Sequence, residues 1–199
     1  MRLTVCLPAQ PGEAYPNGGG EGFWMGKIAD RLERLLSETG TELARVFSGN
    51  AEPAVFPCGS ELYLTLCSRA APPELAGQQK GLDVCYAEQS ALSKQAAEVF
   101  AARLKEVYPQ PELAGTRPVA EAETVPVDQA PVLTVKLAYH DNPQDEAWLV
   151  NSTDEIAEKL AEAAKEVLGL PEVPELSQIL DIPEIGLHSE ALFPEKRNA

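Results

Sequence analysis

Few residues of this 199-residue chain have types and spacing that could carry chemistry. The run Asn17-Gly18-Gly19-Gly20-Glu21 opens an apolar helical pattern, so backbone N–H groups and one carboxylate gather at a helix N-terminus. Such a loop could cradle a phosphate, yet it lacks the lysine of a P-loop and the spacing of a dinucleotide fingerprint, and Glu21 would repel an anion. The plainer reading has Glu21 complementing the helix dipole. Four cysteines, Cys6, Cys58, Cys67 and Cys85, are widely spaced with no Cys-x-x-Cys pair, and three sit in apolar strand-like runs that make them buried free thiols. A zinc site built from all four would require them to converge in the fold. Of the two histidines, His140 follows a strand-like run and His188 lies near the C-terminus.

The elements that must position these groups are legible from periodicity. Leu3–Leu7 is a short strand closed by Pro8, and Gln10–Gly20 is an irregular loop. From Glu21, residues Trp24, Ile28, Leu32 and Leu35, flanked by Met25, Ala29 and Leu36, predict a helix that Gly40 stops. Leu43–Phe47, Leu62–Cys67 and Leu82–Tyr86 read as strands, with Ser68–Lys80 a loop. A second helix is expected over about Glu88–Tyr108, with Leu92, Ala96, Val99, Phe100 and Leu104 at helical spacing and Pro109 closing it. Strand-like pieces in Leu113–Val127 are broken by Gly115, Pro118 and Pro126, and Val132–Tyr139 is a stronger strand. A short helix over Pro143–Val150 follows. The last helix opens on Ser152-Thr153-Asp154-Glu155, which fits a capping box, and runs through Ile156, Leu160, Ala163 and Val167 to Gly169.

Strands alternating with amphipathic helices predict an α/β fold: a mostly parallel twisted sheet with helices on both faces. Ligands in such folds gather at the carboxyl ends of the strands, which brings together the loop after the first strand, the stretch after Cys67 and the end of Val132–Tyr139. One domain is expected over residues 1–169, followed by an acidic, proline-containing tail over 170–199 whose apolar residues pack along the domain or on a partner. The net charge of −15 and pI near 4.5 exclude nucleic acid and anionic membrane surfaces as partners. No stretch approaches the roughly 18 apolar residues of a membrane-spanning helix. The apolar run at the N-terminus is too short for a signal peptide, so the expected location is the cytoplasm, or outside the cell by a route that needs no such signal.

Three strings are distinctive: Leu62-Tyr63-Leu64-Thr65-Leu66-Cys67-Ser68-Arg69-Ala70-Ala71-Pro72, Gly81-Leu82-Asp83-Val84-Cys85-Tyr86, and Ala130–Asn142 ending in Ala138-Tyr139-His140-Asp141-Asn142 with Trp148 nearby. With the Gly-Gly-Gly-Glu helix start they resemble, in order and spacing over residues 2–169, the zinc-dependent N-acetylmuramoyl-L-alanine amidases, in the branch found in Firmicutes. The resemblance implies a three-layer α/β domain that cuts the bond between muramic acid and L-alanine in peptidoglycan. It implies zinc held by a histidine after the first strand, a glutamate opening the first helix and a histidine ending a strand, with a second glutamate as general acid/base. Matched to this chain, the glutamate ligand is Glu21. The first histidine falls within Gln10–Ala14, where Gly12 and Glu13 stand instead, the second is Cys67, and the general-base glutamate is Lys136.

These replacements set the functional expectations. A protonated lysine neither takes the proton of a water nor tolerates a neighbouring zinc ion, so Lys136 is expected to be non-catalytic and no cofactor is expected. If a metal binds at all, Glu21, Cys67 and Glu13 are its ligands. The expected cleft comprises Glu13, Glu21, Cys67, Arg69, Lys136 and His140. A Glu21–Lys136 salt bridge is expected to replace the ion, and His140 to fix its loop by hydrogen bonds. Three readings follow: a degenerate amidase-like domain that binds peptidoglycan fragments or a protein partner, a hydrolase with an altered metal site, and a structural or interaction protein. A nucleophilic Cys67, activated by Lys136 or His140, is the weaker enzymatic variant.

Overall fold

The computed structural model describes residues 1–9, 14–48, 59–120 and 130–171. Six strands and four α-helices follow one another: β1 (Arg2–Pro8), α1 (Glu21–Ser37), β2 (Glu42–Ser48), β3 (Leu62–Arg69), β4 (Leu82–Ala87), α2 (Ala91–Lys105), β5 (Ala114–Val119), β6 (Val132–Tyr139), α3 (Pro143–Asn151) and α4 (Thr153–Leu168). The strands form one sheet in the order β2-β1-β3-β6-β4-β5. All neighbours run parallel except β4 and β6, so the expected α/β class with a mostly parallel sheet is what forms.

Register assigns every side chain to a face. Leu3, Val5 and Leu7 of β1 align with Leu62, Leu64 and Leu66 of β3, with Leu133, Val135 and Leu137 of β6, and with Leu82, Val84 and Tyr86 of β4. This face joins Met25, Ile28 and Leu32 of α1, Phe100 and Leu104 of α2, Trp148 and Leu149 of α3, and Ile156 and Leu160 of α4 in a single apolar core. The opposite face carries a small cluster of Cys6, Tyr63 and Val132, to which no described helix contributes.

Local details depart from expectation for identifiable reasons. α2 begins at Ala91 rather than Glu88 because the Ser90 hydroxyl caps it, accepting from the Ser93 N–H at 3.1 Å. Leu92 is exposed on that helix, and Ala97 and Ala101 fill the core in its place. The capping box at Ser152 makes no side-chain cap bond, because α3 runs almost directly into α4 and the Ser152 N–H already bonds to the Trp148 carbonyl at 2.9 Å. Cys6, Cys67 and Cys85 share the face opposite the core, but they do not converge: β3 and β6 separate Cys6 from Cys85 by three strand spacings, roughly 14 Å. Cys58, Gly12, Glu13, the pieces at 121–127, His188 and the tail from residue 172 lie outside the described residues. No described helix is long and apolar enough to cross a membrane.

Candidate functional site

In the sheet order the chain leaves β1 toward β2 on one side and places β3 on the other, which opens a crevice at their carboxyl ends. α1 starts there. Its preceding loop turns back on itself through an Ala14–Gly20 bridge and a bond from the Tyr15 N–H to the Gly19 carbonyl at 3.2 Å. A side chain at Gly19 would run into the Trp24 indole at 2.6 Å, so this glycine run makes a tight turn rather than a phosphate cradle.

Glu21 reaches across to β3. The Ser68 N–H donates to its Oε1 at 2.6 Å and the Ser68 hydroxyl donates to the same atom at 3.0 Å. With its proton committed to Glu21, the Ser68 oxygen accepts from His140 Nδ1 at 2.9 Å, which places a proton on that ring nitrogen. The imidazole stacks on Tyr15, ring centroids 5.0 Å apart. His140 therefore fixes two loops, as the hydrogen-bonding role expected of it requires. The expected Glu21–Lys136 salt bridge does not form: Ser68 holds the Glu21 carboxylate instead, because the side chain after Cys67 turns back toward α1 while Cys67 and Lys136 point to the other face.

A second set of carboxylates, unpredicted as site residues, holds the loops around this network. Buried Glu146 accepts from the Asn17 backbone N–H at 2.8 Å and from its side-chain amide at 2.6 Å. Asp141 accepts from the Ala71 and Gly77 N–H groups at 3.0 and 2.8 Å, and Asn142 caps α3 while donating to the Gly77 carbonyl at 2.7 Å. Buried Asp145 accepts from the N–H groups of Gly81 and Tyr139, each at 3.0 Å, and from the Tyr108 hydroxyl at 2.6 Å. The string that carries the family resemblance thus ties the stretches at 15–17 and 71–81 to the end of β6. Its signal in the sequence was the crowding of Asp141, Asn142, Asp145 and Glu146 just after a strand. Tyr15 and Ser68 had no such signal.

On the opposite face, Cys67 and Lys136 are register partners, and Lys136 is also opposite Asp83 of β4. Arg69 pairs with Asp83 and stacks its guanidinium on Tyr139 at 4.0 Å. The Cys67 thiol lies 3.8 Å from the Val135 carbonyl oxygen, within reach of a weak hydrogen bond. Among the described residues no three His, Cys, Asp or Glu side chains come together as a metal site would need, and Glu13, one of the three expected ligands, lies outside them.

Burial pushes the pKa of three groups up, making each a weaker acid. The Cys85 thiol rises chiefly by desolvation, the Tyr108 phenol by desolvation and then its bond to Asp145, and the Tyr15 phenol by desolvation and the nearby Glu21 charge. An acid whose folded pKa is raised contributes stability that is intact below its unfolded pKa and is lost as pH rises past it. The melting temperature should therefore hold to about pH 8 and fall through the ordinary thiol and phenol ranges of about 8.5–10. Each group contributes a slope of up to about 1.4 kcal/mol per pH unit. A melting temperature that stays level from pH 8 to 11 would contradict this.

Comparison with known proteins gives the same fold. No protein-family model matches the chain, and no curated protein does. Among solved structures, N-acetylmuramoyl-L-alanine amidase AmiC2 of Nostoc punctiforme superposes with a TM-score of 0.64 at 18% identity, over 84% of this chain and 97% of that one. The CwlD amidase from Clostridioides difficile, solved in complex with the GerS lipoprotein, gives 0.67 at 13% identity over 83% and 98%. The catalytic domain of CwlV, an N-acetylmuramoyl-L-alanine amidase from Bacillus (Paenibacillus) polymyxa, gives 0.64 at 16% over 86% and 100%. At such identities the likeness speaks for the scaffold, while activity is a matter of the site. This chain has the fold of the N-acetylmuramoyl-L-alanine amidases.

Proposed function

We propose that this domain binds peptidoglycan-derived glycopeptide in the crevice at the strand ends and does not hydrolyse it. One observation carries the reading: the carboxylate that opens α1 is held by Ser68, which is itself bonded to His140, while a lysine stands beside Cys67 where a general base would be needed. An ammonium at that point repels a divalent cation and takes no proton from water, so neither half of metal-assisted amide hydrolysis has its group. The preserved scaffold and the tied-down loops support retention of a binding surface. A protein partner is supported only by analogy with the CwlD amidase, which was solved in complex with the GerS lipoprotein.

The test is metal content together with binding and turnover. Full-length protein purified without chelator and supplied with zinc should retain far less than one zinc per chain by elemental analysis. It should co-sediment with insoluble peptidoglycan and release no new amino termini from it. One tightly held zinc per chain together with released L-alanine amino groups would establish a hydrolase with an altered metal site instead. Failure to co-sediment would leave the scaffold without a cell-wall ligand.

A further inference from the structure

We propose that the sheet face opposite the core, at the ends of β3 and β6, is a binding site for a ligand carboxylate, centred on Lys136 and flanked by Arg69 and Arg117. This rests on the glycopeptide reading and names the part of the ligand that the site takes, a carboxylate of its peptide portion.

The chain has 16 Lys and Arg against 31 Asp and Glu, so a local excess of positive charge needs a reason. Around the Cys85 thiol, after its own burial, the charges that act are Lys136, Asp83, Arg117 and Arg69, three cations and one acid. The acid is already engaged. Asp83 Oδ2 receives both Arg69 and, at 3.1 Å, Arg117, and its carboxylate is mostly buried. Lys136 lies directly opposite Asp83 on the neighbouring strand, the position from which an ion pair would form. It makes none, because two guanidiniums occupy the partner.

Lys136 is half-buried, and among the described residues its ammonium has neither a carboxylate nor a hydrogen-bond partner. A partly desolvated charge without a counter-charge is costly, and the cations on either side raise that cost. A ligand carboxylate relieves it with a charge-assisted bond, and Arg117, which is 61% exposed, is placed to make a second. Neutral parts of a glycopeptide gain nothing from three cations. The arrangement therefore selects for an anionic group and places it beside Cys67, where the resemblance would put a scissile amide.

The experiment is calorimetric titration of the full chain with two soluble probes: an N-acetylmuramoyl peptide with free carboxylates, and the same compound with every carboxylate amidated. The free acid should bind about tenfold more tightly or better, and added salt should shrink the difference. Lys136→Gln should remove most of the preference. Arg117→Gln, at an exposed position where folding is not at risk, should reduce it several-fold and carries the test if Lys136→Gln is unstable. Equal binding of the two probes would overturn the carboxylate site while leaving the glycopeptide reading intact. Binding of neither would overturn both.

Discussion

Asp145→Ala should lower the unfolding free energy by about 3–5 kcal/mol, more than any other polar change around the site. The side chain is buried and ends three donors at once: the N–H groups of Gly81 and Tyr139 and the hydroxyl of Tyr108. Hydrogen bonds to a charged acceptor are worth about 1.5–3 kcal/mol each, and their loss leaves buried donors without partners. The three bonds are not independent, so the total falls short of their sum. For a domain of this size the melting temperature should drop by roughly 6–20 °C. Urea unfolding is the direct measurement, with Asp154→Ala at the exposed start of α4 as a control expected within about 0.5 kcal/mol of the parent. A loss under about 1 kcal/mol for Asp145→Ala would mean that the loops are held by something else.

Gly81→Ala should cost about 3 kcal/mol or more, for a reason that involves no lost contact. Gly81 has φ +120°, a region that side chains rarely enter, and a Cβ there would lie 2.5 Å from the Leu113 carbonyl oxygen. That carbonyl cannot swing away freely, since the next residue, Ala114, is already paired with Leu82 in the sheet. Gly40 supplies the comparison. Its φ is +72° but a Cβ there meets nothing within 4 Å, so Gly40→Ala should cost only the backbone strain, about 1–2 kcal/mol. If the two substitutions cost the same in urea unfolding, the clash with Leu113 is not what makes Gly81 necessary. Because Gly81 also donates to Asp145, combining both substitutions should cost less than the sum of the two.

The order and type of the elements were legible in the sequence because they depend on local periodicity. Met25, Ile28, Leu32 and Leu36 recur at helical spacing, and those positions are fully buried on α1. Alternation in Leu62-Tyr63-Leu64-Thr65-Leu66 marks a strand with one face in the core, and Leu62, Leu64 and Leu66 are fully buried there. Glu21 could be placed at the start of a helix for the same reason. The resemblance could also name Cys67 and Lys136 as the positions that matter, since they stand at definite points along two strands.

What those side chains meet was decided only by the tertiary structure. Glu21 and Ser68 are 47 positions apart, and Ser68 and His140 72, so no local pattern could show that one serine joins them. Lys136 was expected to face Glu21, and instead pairing order put it between Cys67 and Asp83, on the face away from α1. The physical reason is that a strand's alternation divides its side chains into two sets without saying which set faces the helices or which strand lies alongside. The antiparallel placement of β4 against β6 brings Asp83 into register with Lys136, while Arg69 and Arg117 already engage that carboxylate. The sequence by itself determined a helix-covered α/β sheet and the residue types at its strand ends. The long-range register determined which face each of those residues takes and which side chains stand beside it.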